Sequence, residues 1–107
     1  NMVMVGNHFD GAYAEFISVP AKDIVALPDG IPLEEASIIA DAVSTPYHAV
    51  KNRAQVRPGE TVAVFGCGGV GINAVQLAAA AGGSVIAVDK VAKKLEWAKQ
   101  FGAAKPA

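Results

Sequence analysis

Residues 61–71 read TVAVFGCGGVG, and this stretch decides the class of fold. It begins with a short apolar segment rich in valine, which predicts a buried β-strand. It then places glycine at positions 66, 68 and 71 in the spacing G-x-G-x-x-G, and an alanine-rich segment follows. A strand that turns through glycines into a helix is a local arrangement in which backbone N–H groups can face a phosphate.

The segments that follow the glycines continue an alternation of strand and helix. Residues 71–81 predict a helix that ends at the next glycine pair, and residues 84–89, SVIAVD, predict a second buried strand. Residues 92–101 predict a second helix, which Gly102 ends. Strands and helices that alternate through short loops predict an α/β fold with a parallel sheet.

Each glycine of the turn has a physical role. Gly66 lets the chain turn sharply, Gly68 lets the backbone approach a pyrophosphate, and Gly71 permits close packing of helix on strand. Gly69 and Val70 lie between them, at the entrance to the helix, where free N–H groups and the positive helix end would face phosphates. The same glycines could instead form a purely structural turn, because G-x-G-x-x-G alone is a weak signal.

Asp89 strengthens the cofactor interpretation. It ends the second predicted strand eighteen residues after Gly71, close to the offset of about 20 residues at which dinucleotide-binding units carry an acidic residue. A carboxylate there accepts hydrogen bonds from the adenosine ribose hydroxyls and repels a 2′-phosphate, which favours NAD over NADP. Lys90 is a further candidate cofactor contact that could weaken the exclusion of NADP, although a lone lysine beside a strand end is more often solvated.

The bulk composition bears on several other classes of function. The 107 residues suit one domain or part of one, and a net charge of −1 gives no electrostatic case for nucleic-acid binding. Apolar runs are interrupted well before the roughly 18 residues of a membrane span, and no signal-peptide pattern opens the chain.

The single cysteine, Cys67, excludes an internal disulfide and favours a cytoplasmic setting. It could be a reactive thiol near a helix end or a small packing residue.

The chain before the glycine turn is organised differently. Residues 13–28 contain two segments, YAEFISV and DIVALP, that predict short strands. Pro32 suits the first turn of a helix, and this helix should break before Pro46 because the residue preceding a proline is pushed out of the helical region. Ser44 or Thr45 would then cap a second helix.

Taken in order, these blocks resemble the medium-chain dehydrogenase/reductase superfamily, and within it the zinc-dependent alcohol dehydrogenases. The segment DGAYAEFISVPAKDIVALPDGIPLEEAS is similar to the end of that family's catalytic domain. The segment VRPGETVAVFGCGGVGINAVQLAAAAGGSVIAVDKVAKKLEWAKQFGA is similar to the first strand–helix units of its coenzyme domain. The resemblance implies the end of a GroES-like catalytic domain in residues 1–45 and the start of a Rossmann NAD-binding domain in residues 46–107.

The resemblance also implies a function for the longer protein of which we expect these residues to be a fragment. Such an enzyme is a homo-oligomer that transfers hydride between NAD and a small alcohol or carbonyl compound, with zinc polarising the substrate oxygen. The family's upstream zinc ligands, a cysteine and a Gly-His-Glu motif, do not occur in this sequence. We therefore expect the 107 residues alone to be inactive as a dehydrogenase.

Two residues of IIADAVSTPYHAV match functional positions of the family. Asp41 stands where the family usually has a cysteine zinc ligand, and an aspartate oxygen can also bind zinc. Asp41 could instead interact with the start of the next helix, or zinc could have been lost. Thr45 stands where the family has a residue facing the nicotinamide ring, so it is a candidate catalytic and cofactor-binding residue as well as a candidate cap. His48 lies at a variable position and is interpreted as solvated.

Other functions stay open from the sequence. A zinc-independent quinone or enoyl reductase of the same superfamily would share the fold, but such relatives usually use NADPH, which Asp89 opposes. An S-adenosylmethionine-dependent methyltransferase also has a glycine-rich turn and an acidic residue after its second strand, and a non-catalytic nucleotide-binding remnant is a third alternative. The stretch ADAVSTPYHAV is also similar to 6-hydroxycyclohex-1-ene-1-carbonyl-CoA dehydrogenases, which implies a cyclic hydroxyacyl-CoA as one candidate substrate.

Overall fold

In the computed structural model, which describes residues 3–106, the chain divides into two compact units, Asn1–Ile31 and Pro32–Ala107. The second unit contains the sheet and its helices. The domain boundary expected after residue 45 concerns a longer protein and stays a prediction. Among the described residues, no helix is both long and apolar enough to cross a membrane.

The first unit differs from the sequence prediction. In its described part, the regular elements are a 3-10 helical turn, Ala21–Asp23, and a single bridge between Val5 and Phe9. The segments YAEFISV and DIVALP form no strand there, so the prediction of two strands is wrong for this structure. A strand needs a second backbone to pair with, whereas apolar and β-branched residues indicate only a propensity for pairing.

Residues 33–53 form a nearly continuous helical stretch rather than two separate helices. Two short α-helices alternate with two π-helical turns: α1 (Leu33–Ala36), Ile39–Val43, α2 (Ser44–Tyr47) and His48–Arg53. The predicted break before Pro46 is therefore wrong, because Pro46 lies inside α2. The predicted cap is also wrong, since Thr45 lies within α2 and the residue at the N-cap position, Val43, makes no side-chain hydrogen bond there.

Local bonding explains how the helical stretch passes the proline. Pro46 has no N–H to donate to the carbonyl four residues earlier, and the π-helical turn before α2 already shifts backbone bonding by one residue. The Ser44 hydroxyl donates to the carbonyl of Ala40 at 2.6 Å, which satisfies one acceptor in this region. Pro46 is also buried, so packing favours keeping it inside the stretch.

Three parallel strands form the sheet in the order β1, β2, β3. They are β1 (Thr61–Phe65), β2 (Ser84–Val88) and β3 (Ala103–Pro106). β1 and β2 are in continuous register from Thr61 opposite Ser84 to Phe65 opposite Val88, and the register of β2 with β3 shifts once. The predicted parallel sheet is confirmed. β3 occupies the last described residues, directly after the second predicted helix.

Two helices connect the strands: α3 (Gly69–Ala80) joins β1 to β2, and α4 (Ala92–Gln100) joins β2 to β3. Each packs against the strands that it connects. Small side chains allow this packing to be close, because alanine and valine dominate the buried positions. The buried core residues are Val50, Cys67, Val75, Ala78, Val85, Ala87, Ala98 and Ala103.

The two faces of the sheet differ in exposure. Val85 and Ala87 of β2 are fully buried beneath the helices, whereas Phe65 of β1 is 78% exposed on the other face. This difference follows from the alternation of side chains along a strand. The carboxyl ends of β1 and β2 lie side by side, and this is the edge at which parallel α/β sheets bind ligands.

Candidate functional site

The glycine turn begins directly after β1. Gly66 has a backbone φ of +88°, a left-handed conformation that side chains disfavour. Its N–H donates to the carbonyl of Val88 at 2.8 Å, so pairing with β2 continues to the point where the chain turns. The sharp turn expected of Gly66 is therefore present at the carboxyl edge of the sheet.

Gly71 contacts this turn from the start of α3. A Cβ atom at this position would lie 1.8 Å from the carbonyl oxygen of Gly66 and 2.9 Å from its carbonyl carbon. No side chain fits there, because carbon atoms make favourable contact at about 3.5–4.0 Å. Gly71 therefore allows the close approach of helix and strand that the sequence predicted.

Gly68 and Gly69 are under no such constraint. A Cβ atom at either position would meet no atom within 4 Å, and neither residue has a left-handed φ. Nothing in the described chain requires glycine at these two positions. The open space lets a group from outside come close to the backbone here.

The start of α3 presents backbone donors to that space. α3 begins at Gly69 with Gly68 as its N-cap, and the cap makes no side-chain hydrogen bond. Ile72 donates its N–H to the carbonyl of Gly68 at 2.8 Å, while the first N–H groups of an α-helix have no acceptor within the helix. The N–H groups of Gly69, Val70 and Gly71, together with the positive helix end, are thus suited to phosphate oxygens.

Asp89 lies at the end of β2 and contacts the glycine turn. Its side chain is only 7% exposed. Oδ2 accepts the N–H of Cys67 at 2.8 Å, and Oδ1 accepts the N–H of Val91 at 2.9 Å. These two backbone donors, helped by nearby lysine charges, hold the pKa of Asp89 below its usual value. The site therefore contains a carboxylate that stays ionised at neutral pH.

Two lysines flank this carboxylate. Lys94, in the first turn of α4, places Nζ 3.8 Å from Oδ2 of Asp89, and its side chain is 38% exposed. Lys90 is exposed, and its charge lowers the pKa of Asp89 less than that of Lys94 does. Lys94 was not among the predicted site residues. Its position five residues after Asp89, inside the predicted helix, was a signal that its side chain could return to the strand end.

Cys67 packs in the interior. It is 3% exposed and belongs to the hydrophobic core. Burial raises the pKa of its thiol, and the negative charge of Asp89 adds to this effect. Both disfavour the thiolate, which supports the interpretation of Cys67 as a packing residue rather than a reactive one.

Asp41 and Thr45 form a hydrogen-bonded pair on the helical stretch before the sheet. The Thr45 hydroxyl donates to Oδ1 of Asp41 at 2.8 Å, and both residues are exposed. Their segment packs against α3, whose first turn carries the glycines. His48 pairs its Nδ1 with Nδ2 of Asn52 at 3.0 Å, as an exposed helix histidine can.

The described residues do not assemble a metal centre by themselves. Within residues 3–106, no three side chains of His, Cys, Asp or Glu come together as possible ligands of one metal ion. Structural zinc sites take four protein ligands and catalytic sites three. Asp41 as a zinc ligand therefore stays a prediction, which would need further ligands from outside the described residues.

No protein-family model matches the chain, but known proteins do. An alcohol dehydrogenase of Geobacillus stearothermophilus is 47% identical over 98 residues, which are 92% of this chain and 29% of that protein. The solved alcohol dehydrogenase of the archaeon Aeropyrum pernix matches with a TM-score of 0.86 and 36% identity, over 98% of this chain and 32% of that one. The chain thus spans about 29% of the length of the first curated relatives that it matches.

Two further solved structures bear on the coenzyme. Acetophenone reductase from Geotrichum candidum, solved with NAD, has a TM-score of 0.73 and 40% identity over 78% of this chain and 24% of that one. A quinone oxidoreductase from Thermus thermophilus, solved also with NADPH, has a TM-score of 0.76 and 38% identity over 85% of this chain and 31% of that one. Because both coenzymes occur among similar structures, the choice between them depends on individual residues.

Proposed function

This chain is homologous to one segment of the zinc-type alcohol dehydrogenases of the medium-chain dehydrogenase/reductase superfamily, and from that premise we propose that it forms the adenosine diphosphate half of an NAD site. The observation that carries the proposal is the contact of Asp89 with the glycine turn. That contact brings an ionised acceptor for ribose hydroxyls next to backbone donors for phosphate.

The residues of the glycine turn would bind the pyrophosphate of the coenzyme. The N–H groups of Gly69, Val70 and Gly71 donate to pyrophosphate oxygens, which approach through the open space beside Gly68. Gly66 supports this arrangement by turning the chain back over the sheet edge.

Asp89 would determine which coenzyme binds. Its carboxylate accepts hydrogen bonds from the adenosine ribose and repels a 2′-phosphate, so NAD is preferred. Lys90, which is exposed next to Asp89, would contact the solvent side of the same ribose.

Asp41 and Thr45 would serve the reactive half of the coenzyme. Thr45 contacts the nicotinamide, and Asp41 contributes one oxygen ligand to zinc, whose other ligands come from elsewhere in a longer protein. When bound, NAD accepts the hydride of an alcohol and zinc stabilises the developing alkoxide. The hydrogen bond between Asp41 and Thr45 sets the direction of the threonine hydroxyl.

The longer protein would be a cytoplasmic homo-oligomer that acts on a small alcohol or carbonyl compound. In it, residues 1–45 end a GroES-like catalytic domain and residues 46–107 begin the Rossmann domain. The similarity of ADAVSTPYHAV to hydroxyacyl-CoA dehydrogenases makes a cyclic hydroxyacyl-CoA the first substrate to try.

A zinc-independent quinone reductase that uses NADPH is the second candidate. Its support is the pair of cations near Asp89, because Lys90 and Lys94 could offset the repulsion of a 2′-phosphate. A quinone oxidoreductase is also among the similar structures.

Titration of the full chain with NADH and NADPH, followed by coenzyme fluorescence, tests the proposal. We expect NADH to bind at least about tenfold more tightly, because a 2′-phosphate removes the 2′-hydroxyl donor and places negative charge against the Asp89 carboxylate. A chain that binds neither coenzyme would contradict the proposal. Tighter binding of NADPH would favour the reductase instead.

A further inference from the structure

We infer that Asp89 is also a positioning residue, which holds the phosphate-binding turn in place through the backbone of Cys67. This inference rests on the proposed function, because it assigns Asp89 a role on the phosphate side of the same coenzyme site. The carboxylate would then act on the phosphates without touching them.

The turn needs such an anchor because of its composition. Glycine has the largest conformational freedom of any residue, and Cys67 lies between Gly66 and Gly68. Cys67 itself is held in two ways: the residue is 3% exposed and packs in the core, and its N–H donates to Oδ2 of Asp89 at 2.8 Å. The orientation of the peptide that leads into Gly68 and α3 is therefore tied to the position of this carboxylate.

The same carboxylate also holds the loop after β2. Oδ1 accepts the N–H of Val91 at 2.9 Å, so Asp89 joins the loops that follow two neighbouring strands. In the proposed complex, one loop would contact the phosphates and the other would lie beside the ribose. A single side chain therefore fixes the spacing between the two halves of the ligand.

The positioning role and the ribose role can coexist. A carboxylate offers about four lone-pair sites, and the two backbone N–H groups occupy one on each oxygen. The remaining sites can accept ribose hydroxyls, with Lys94 3.8 Å from Oδ2.

Removing the Asp89 carboxylate distinguishes its positioning role from its ribose-binding role. The buried N–H of Cys67 would lose its acceptor, and the turn would rearrange to find another. Affinity for the phosphates should then fall even when the ligand has no ribose hydroxyls. A residue that only binds the ribose would leave that affinity unchanged or raise it, because the substitution also removes a negative charge near the phosphates.

Binding of ADP and of 2′,3′-dideoxy-ADP to the full chain, measured by titration calorimetry, makes this distinction. We expect Asp89→Ala to weaken dideoxy-ADP by about fivefold or more, and ADP by a larger factor, because a hydrogen bond to a charged group is lost in each case. The matched control is Glu60→Ala, which removes a carboxylate that accepts the N–H of Arg57 at 2.8 Å at the opposite end of β1. This control should change both affinities by less than about twofold.

Hydrogen exchange of the Cys67 amide gives a second readout that needs no ligand. Asp89→Ala should speed this exchange by about tenfold or more, and Glu60→Ala should not. Unchanged or tighter binding of dideoxy-ADP together with unchanged exchange of the Cys67 amide would overturn the inference. If the unmodified chain binds neither nucleotide, the proposed function fails, and the exchange rate of Cys67 still decides the positioning role.

Asp89→Asn covers the case in which the alanine variant does not fold. Asparagine has one acceptor oxygen in place of two, so it cannot accept both the Cys67 and Val91 N–H groups at their present positions. At least one of these amides should exchange faster. Wild-type protection at both would overturn the inference.

Discussion

At the scale of single residues, the glycines of the turn meet two different physical demands. The fold itself requires glycine at two of these positions. Gly66 has a left-handed φ, and a Cβ atom at Gly71 would clash with the carbonyl oxygen of Gly66. Gly68 has open space beside it, so its lack of a side chain matters only to an incoming group. Stability and binding should therefore respond to different glycines.

Two substitutions to alanine separate these demands. Gly71→Ala should lower the free energy of unfolding by about 3 kcal/mol, since helix and strand must move apart. Gly68→Ala should cost about 1 kcal/mol or less, as expected for an N-cap glycine, while it weakens NADH binding by placing a methyl group where phosphate would approach. Urea unfolding and NADH titration measure the two effects. Equal stability losses would refute this division.

Single residues also show how much of the candidate site could be predicted from the sequence. The spacing of Gly66, Gly71 and Asp89 predicted their places in the turn and at the strand end, because those places follow from the order of strand, turn and helix. The bond from Cys67 to Asp89 spans 22 residues. It depends on how closely two loops approach in space, and no local pattern encodes that distance.

At the scale of elements, the helical stretch 33–53 shows how packing overrides local preference. Pro46 predicts a break because it lacks an N–H, yet the proline is buried and the neighbouring turns are π-helical. The strands β1 and β2 were predicted correctly because apolar runs bounded by glycines are local signals. The number of residues per helical turn depends on contacts that a sequence pattern does not contain.

The end of this stretch carries a conformational cost that a substitution can remove. Gln55 has a φ of +52°, just after the last helical turn. Glycine adopts this conformation without the penalty of about 1–2 kcal/mol that other residues incur. Gln55→Gly should therefore raise the free energy of unfolding by up to about 1 kcal/mol, the rest being offset by greater freedom of the unfolded chain.

Urea unfolding at neutral pH measures this change, with Gln55→Ala as the control. Alanine keeps the Cβ and its strain, so the control should show no gain. If both variants are equally stabilised, the left-handed geometry is not the cause.

At the scale of the whole molecule, we expect the chain to bind the coenzyme without catalysing the oxidation of an alcohol. The described residues contain the glycine turn and Asp89 of the proposed coenzyme site, but no three of their side chains come together as possible ligands of one metal ion. We expect the purified chain to show no NAD-dependent oxidation of alcohols, even with added zinc. The absorbance of NADH reports the reaction, and the alcohol dehydrogenase of Geobacillus stearothermophilus serves as positive control. Sustained turnover by the chain would contradict this.

The close packing of helices on the sheet has a consequence for how the gene can change. Ala78, Ala87 and Ala98 have no exposed surface. Every alanine codon begins with GC, so one base change can yield glycine, serine, threonine, valine, proline, aspartate or glutamate. Only glycine is smaller than alanine, and each of the others must push a helix away from its strand. Amino-acid replacement at these positions is therefore nearly closed, and divergence of the protein sequence in this segment must accumulate elsewhere.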